Sequence, residues 1–404
     1  MNVKNIGKNI AALRKKYGMT QAALAAELKI SNKTVSKWES GQGYPEISQL
    51  PSLAQFFNVS IDSLMTDKPN GIAIVGNILT DVVKMVDCYP EKGMLANIGE
   101  MSVCVGGCVP NTAIDIAKID RSVPLTAIGK VGDDDNGRFV VSKMVENGIN
   151  CDKVIVSQTK PTSSSDVISS PDGERTFFHC RGANAEFSPE DIDLDALSCS
   201  ILHIGYILLL DIFDKEDKEY GTVMARFLHD VQKKGIKTSI DVVSDSTGEY
   251  KKKIIPALKY CDYVVVNEIE SSIISGLDPY TKDKKPNLEN IKKTMEIMAD
   301  YGVAEKIIIH CKQAGFCYDV KTKEFEAVGS VDMPREMFKG SVGAGDAFCA
   351  GSLYGIYNGF SNREILEFAA GAAVCNLLSE NSIDGMLSKS EIYKVAEKYG
   401  YMEI

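Results

Sequence analysis

Apolar residues keep helical spacing through the first part of the chain and change rhythm after it. Ile6, Ile10 and Leu13 predict one helix, broken at Tyr17-Gly18. "TQAALAAEL" follows, with Thr20 placed to cap it, and "SNKTVSKWESG" starts at Ser31 and stops at Gly41. Two short helices are expected over 47–57 and 61–65, closing an all-α domain at 1–66. "TDKPNG" then predicts a linker at 67–70. From Gly71 the pattern becomes short continuous apolar runs: "IAIVGN", "LTAIGKVG", "SILHIGY", "TSIDVV", "YVVVNE" and "KIIIHC". They alternate with helical segments such as "NTAIDIAKI" and "YGTVMARFLHDVQKKG". Buried strands alternating with helices predict an α/β domain over 71–404, with a doubly wound, mostly parallel sheet. "MSVCVGG" and "SSSDVISSPDGERTFFHC", the latter turning at Asp172-Gly173, read instead as antiparallel strands of a small lid.

Composition sharpens this picture in three ways. The net charge of −10 hides an asymmetry: residues 1–66 hold eight Lys and Arg against four acidic residues, so the remainder carries −14. A basic head on an acidic body suits a head that meets a polyanion. Eleven cysteines, an odd number with no C-x-x-C pair, favour free thiols in a reducing cytoplasm over disulfides or a zinc site. No apolar run is long enough for a membrane span.

The chemistry concentrates in "GSVGAGDAFCAG", residues 340–351. Gly343 and Gly345 stand where a helix begins, and glycine there lets another group approach the backbone. Unpaired N–H groups and the helix dipole make such a turn an anion site. Asp346 is then either an N-cap or a base beside a bound anion. No P-loop occurs in the chain; Gly343, Ala344 and Gly345 could instead offer N–H groups to a transferring phosphoryl group, with Asp346 taking the proton of an attacking hydroxyl.

Two resemblances extend these readings. The order "TQAALAAELKISNKTVSKWESG…QLPSLAQFFNVSIDSL" resembles the Cro/repressor-type (XRE) helix-turn-helix family. It implies a recognition helix at 31–38, with Ser31, Asn32, Lys33 and Lys37 toward double-stranded DNA and Gln21 on a phosphate. "VGAGDAFCAG", with "VGGCVPN" before it and "VVVNEIE" between, resembles the ribokinase (PfkB) carbohydrate kinases. That resemblance implies a ribokinase-like fold with a β lid, Asp346 as base and Gly343–Gly345 as anion hole. It also implies that Asp81, Gly106, Gly107 and Asn111 bind the acceptor. Asn267 and Glu270 would serve ATP and Mg²⁺, Glu270 through metal-bound water. Two positions depart from the family pattern: Gly340 replaces an Asp that helps hold a monovalent cation, and "HCK" places His310 and Lys312 where Thr-x-Gly is usual. Lys312 is a candidate phosphate contact, and Arg175 and Arg181 near the lid could serve a charged acceptor. The expected function is ATP-dependent phosphorylation of a sugar or nucleoside hydroxyl, coupled to DNA binding. The alternative is a regulator whose kinase-like body mainly senses a metabolite. A homodimer paired through the lid strands is expected.

Overall fold

The computed structural model describes residues 4–57, 61–65, 71–170, 175–243 and 248–404; the expected linker and the Asp172-Gly173 turn lie outside them. The chain forms two compact units, Met1–Asn70 and Gly71–Ile404.

The first unit contains α1 (Lys4–Lys16), α2 (Gln21–Glu27), α3 (Asn32–Glu39), α4 (Leu50–Phe56) and α5 (Ile61–Met65). Thr20 and Ser31 cap α2 and α3, their hydroxyls accepting from Ala23 N and Thr34 N at 3.1 Å. The helix expected from 47 is split into a 3₁₀ turn, Ile47–Gln49, and α4. Pro51 has no N–H to give to Ile47, so a continuous α-helix cannot form there. Ile10, Leu24, Val35, Trp38, Leu53 and Phe57 make the core. A Cβ on Gly7 would fall 1.8 Å from Trp38 O, so only glycine lets α1 lie this close to α3. Arg14 clamps the pair: its guanidinium donates to both Glu39 carboxylate oxygens at 2.6 and 2.9 Å and to Met19 O at 2.6 Å.

The second unit is built on strands β1 (Ile72–Gly76), β2 (Leu79–Val86), β3 (Ile98–Gly106), β4 (Leu125–Gly132), β5 (Asn150–Ser157), β6 (Ser163–Ser169), β7 (Arg175–Cys180) and β8 (Ile201–Ile207). After a small hairpin, β9 (Glu216–Asp217) and β10 (Gly221–Thr222), come β11 (Lys237–Val242), β12 (Tyr263–Asn267), β13 (Lys306–His310), β14 (Ala314–Asp319) and β15 (Phe325–Gly329). The helices are α6 (Cys108–Ile119), α7 (Asp135–Glu146), α8 (Val223–Lys233), α9 (Tyr250–Leu258), α10 (Glu268–Ser275), α11 (Leu288–Asp300), α12 (Ala344–Asn358), α13 (Asn362–Asn376) and α14 (Lys389–Tyr399). One nine-stranded sheet runs β15-β14-β13-β12-β11-β8-β1-β4-β5, parallel except at β14 and β15. Helices on both faces bury it in two apolar clusters. This is the doubly wound sheet that the alternating runs predict.

The four-stranded lid, β3-β2-β6-β7, includes a strand the apolar pattern does not announce. β2 carries Asp81 and pairs antiparallel with β3 and parallel with β6. Asn184, fully buried, fastens the base of the lid by bonding Ile78 N and Ile78 O, each at 3.2 Å. All eleven cysteines are free, and no helix among the described residues is long and apolar enough to cross a membrane.

Candidate active site

A cavity of about 690 Å³ opens between the lid and the carboxyl ends of the central strands, where ligands bind in open α/β sheets. Asp81, Gly107, Asn111, Asn267, Glu270 and Asp346 line it together, although the chain separates them widely.

The start of α12 sets its floor. Gly343 is the N-cap with φ 78°, and a Cβ there would sit 2.6 Å from Ser382 Cβ, so conformation and space both demand glycine. Asp346 lies in the first turn, 7% exposed, and does not cap the helix. Its carboxylate instead accepts from Asn111 Nδ2 at 2.9 Å and from Tyr206 OH at 2.9 and 3.0 Å. Ser382 Oγ, 2.8 Å from Asn111 Oδ1, fixes which way the amide points. Burial, then the charge of Asp241, raises the Asp346 carboxyl to about 6; the bonds from Asn111 and Tyr206 pull the other way. Gly345 lines the cavity too, whereas Ala344 and Gly106 do not. A Cβ on Gly106 would lie 2.3 Å from Asp81 Oδ2, so that glycine makes room for the carboxylate.

Asp81, Ser165 and His179 stand in register across β2, β6 and β7. All three face the cavity, with Ser165 Oγ 3.0 Å from His179 Nδ1. Burial and the charge of Asp346 raise Asp81 to about 7, so the two carboxyl groups oppose each other's ionisation across the cavity. Asn267 and Glu270 form a capping box on α10: Asn267 Oδ1 accepts from Glu270 N at 2.8 Å and Glu270 Oε2 from Asn267 N at 2.9 Å. A buried carboxylate on the cavity wall is the oxygen donor a hard cation such as Mg²⁺ takes.

At the departures from the family pattern the side chains stand differently from expectation. His310, at the end of β13, lines the cavity, its ring tilted against Phe348 with centroids 4.8 Å apart; burial holds it down at about 4 and hence neutral. Lys312 stands exposed beyond the strand, outside the lining, so His310 rather than Lys312 faces the cavity. Arg181 is turned to Leu208 O at 2.9 Å and Asp211 at 3.2 Å, and the Arg175 side chain lies outside the described residues. Gly340 is hemmed in, a Cβ there falling 2.7 Å from Ser379 O. Tyr206 and Asp241 were not anticipated at all. Tyr206 has φ 58°, and its N–H donates to Asp241 Oδ1 at 2.5 Å.

In the first unit, Ser31, Asn32, Lys33 and Lys37 are exposed along α3. Gln21 Nε2 donates to Glu39 Oε2 at 2.8 Å, which ties its amide to the Arg14 clamp.

A doubly wound sheet with a β lid over a glycine-led helix start is the architecture of a small-molecule phosphotransferase acting on an alcohol group. Residues 70–389 match the model of the pfkB family carbohydrate kinases, and the chain belongs to that family. Residues 10–64 match a helix-turn-helix family model. Among similar proteins, a 5-dehydro-2-deoxygluconokinase of Geobacillus kaustophilus is 25% identical over 73% of this chain and 85% of its own. A ribokinase of Schizosaccharomyces pombe is 24% identical over 80% of this chain and 96% of its own. The fold superposes on Arabidopsis thaliana ribokinase complexed with ribose and ATP, with TM-score 0.68 and 21% identity over 81% of this chain and 98% of that one.

Proposed function

We propose that the second unit transfers the γ-phosphoryl group of ATP to a hydroxyl of a neutral sugar or nucleoside, with Asp346 as general base. The observation that carries this reading is the Asp346 carboxylate, held by Asn111 and Tyr206 at the Gly343-led start of α12 and facing Asp81 across one cavity. The acceptor hydroxyl gives its proton to Asp346 as its oxygen attacks phosphorus. Backbone N–H groups at Gly343–Gly345 take up the charge developing on the phosphoryl oxygens. Asp81 and Asn111 orient the acceptor, and Asn267 and Glu270 would hold Mg²⁺. When bound, that ion neutralises phosphate charge. Among the described residues the lining contains carboxylates but no Lys or Arg, which favours an uncharged polyol over a sugar acid. Release of ADP from ATP and Mg²⁺ with a panel of neutral sugars, sugar acids and nucleosides tests the proposal; no turnover with any of them would overturn it.

A second reading, a metabolite sensor with little catalysis, draws support from His310, whose ring stands close to the position a Cβ on Gly345 would take, 3.5 Å away. In either reading the first unit binds DNA through Ser31, Asn32, Lys33 and Lys37, with Gln21 at a phosphate. Two such heads on a palindrome need a dimer. The lid supplies a candidate surface, since Met101, Val103, Phe177 and Phe178 are each at least half exposed. DNA and acceptor would then modulate each other's affinity by the same factor. Sedimentation and acceptor titration with and without operator DNA test both points.

A further inference from the structure

Behind Asp346 lies a cluster that the phosphoryl-transfer chemistry does not use. His203 on β8, Asp241 at the end of β11 and Cys349 on α12 each offer one ligand atom, and these atoms lie within 4.8 Å of one another. His203 is fully buried, Cys349 is 2% exposed and Asp241 is 7% exposed. His203 Nε2 is 3.3 Å from Asp241 Oδ2 and 3.7 Å from Cys349 Sγ. In a tetrahedral zinc site the usual metal–ligand lengths place N and O roughly 3.3 Å apart and N and S roughly 3.6 Å apart. The other ring nitrogen, Nδ1, is 3.0 Å from Ser239 Oγ. A partner on the second nitrogen orients a ligating histidine, and with Ser239 Oγ accepting from Nδ1 the Nε2 lone pair is turned toward Asp241 and Cys349. Asp241 and Cys349 line the cavity, so the cluster has a route from solvent.

We propose that His203, Asp241 and Cys349 form a binding site for a thiophilic divalent cation of the Zn²⁺ class, distinct from the Mg²⁺ that accompanies ATP. One thiolate, one carboxylate and one neutral imidazole balance the charge of the ion, which suits a buried site. Mg²⁺ takes oxygen ligands and does not compete for the sulfur. Burial and the nearby Asp241 and Asp346 charges keep the Cys349 thiol protonated, so the S–metal bond forms as the S–H proton leaves to solvent. Cys349 follows Asp346 by one turn of α12, so a bound dication draws negative charge from beside the base and weakens it as a proton acceptor. Occupancy therefore inhibits turnover at a pH above the range in which Asp346 titrates, where the carboxylate is already ionised and only its basicity counts. The site itself stands apart from the kinase reading; only this consequence rests on it.

The test uses the full chain, stripped of metal by a chelator, with exposed Cys88 and Cys180 changed to Ser throughout. Cd²⁺ should produce a thiolate-to-metal charge-transfer band at one equivalent, and competition with a chromophoric chelator should give the Zn²⁺ affinity. Cys349→Ala and His203→Gln should each weaken that affinity by at least about 10²-fold, more than the loss of an outer-shell partner costs. Ser239→Ala should weaken it by about tenfold. Cys108→Ala should keep the band, since that neighbouring thiol is not a ligand. Should Cys349→Ala fail to fold, Cys349→Ser and His203→Gln carry the comparison, with folding checked by circular dichroism. Absence of the band in the parent protein, or its survival in both Cys349→Ala and His203→Gln, overturns the site whatever the kinase assay gives. Zn²⁺ inhibition equal in the parent and in His203→Gln overturns the regulatory consequence.

Discussion

Replacing Tyr206 by Phe removes one hydroxyl from the carboxylate that the proposed mechanism depends on. That hydroxyl donates to Asp346 at 2.9 and 3.0 Å, and a hydrogen bond to a charged group is worth about 1.5–3 kcal/mol. The protonated acid keeps part of this interaction, so the loss bears on the ionised form by about half, roughly 0.8–1.5 kcal/mol. That corresponds to up to about one pKa unit. The Asp346 carboxyl, already at about 6 through burial and Asp241, should therefore rise further. In the proposed mechanism Asp346 works as the carboxylate, so activity falls as pH drops through its pKa. Raising that pKa moves the loss to higher pH. The free enzyme and the complex should differ. In the free enzyme Tyr206 occupies Asp346, whereas in the complex the acceptor hydroxyl takes its place. The acid limb of kcat/KM should move up by up to about one unit while that of kcat moves much less, because the two report free enzyme and bound complex respectively. Coupled detection of ADP release from about pH 5 to pH 9, at saturating and at low acceptor, reads both limbs. An unmoved kcat/KM limb, or equal movement in both, would refute the reasoning; a general folding defect would lower rates without moving either limb.

Asp346→Asn should lower kcat by at least about 10²-fold while acceptor binding by calorimetry stays nearly intact, because the amide keeps the shape but not the basicity. Lys33→Ala with Lys37→Ala should weaken specific DNA binding by a few kcal/mol at most, read by fluorescence anisotropy against a scrambled duplex. Retained selectivity in that double variant would show that α3 is not the reading helix. Arg14→Ala strands Glu39 at 8% side-chain exposure and should cost the first unit about 3 kcal/mol, seen by calorimetry as a lower melting transition for that unit alone.

The residues themselves announce only the glycine-led start of α12 with Asp346; Asp81, Gly107, Asn111, Asn267 and Glu270 are reached through the family resemblance. Gly343, Gly107 and the capping box at Asn267–Glu270 each solve a problem within a few residues. Asp346 was legible because a glycine-led helix start is visible before any contact is known. Tyr206 and Asp241 were not, because their meaning lies in contacts 140 and 35 residues away along the chain. A signal did exist: Asp241 interrupts the apolar run "TSIDVV" and His203 interrupts "SILHIGY", and polar groups inside buried strands need partners. Lys312, a candidate through the family pattern alone, stands exposed outside the cavity lining. β13 ends at His310, the turn begins, and alternation no longer says which way a side chain points. The lid strand β2 escaped notice because it is only half buried, so its apolar signal is weak.

The joining of the two units in one polypeptide has a consequence of its own. Under the proposed function, every DNA-reading head would arrive with a catalyst for the compound that informs it, in a fixed one-to-one ratio that no change in expression can alter. A receptor that merely holds its ligand reports a level. A chain that also phosphorylates the ligand depletes the pool it samples, and more copies deplete it faster. What reaches the promoter is then the balance between supply and the chain's own turnover. Such a device responds to nutrient influx, falls silent when influx stops, and needs no separate enzyme to clear its signal.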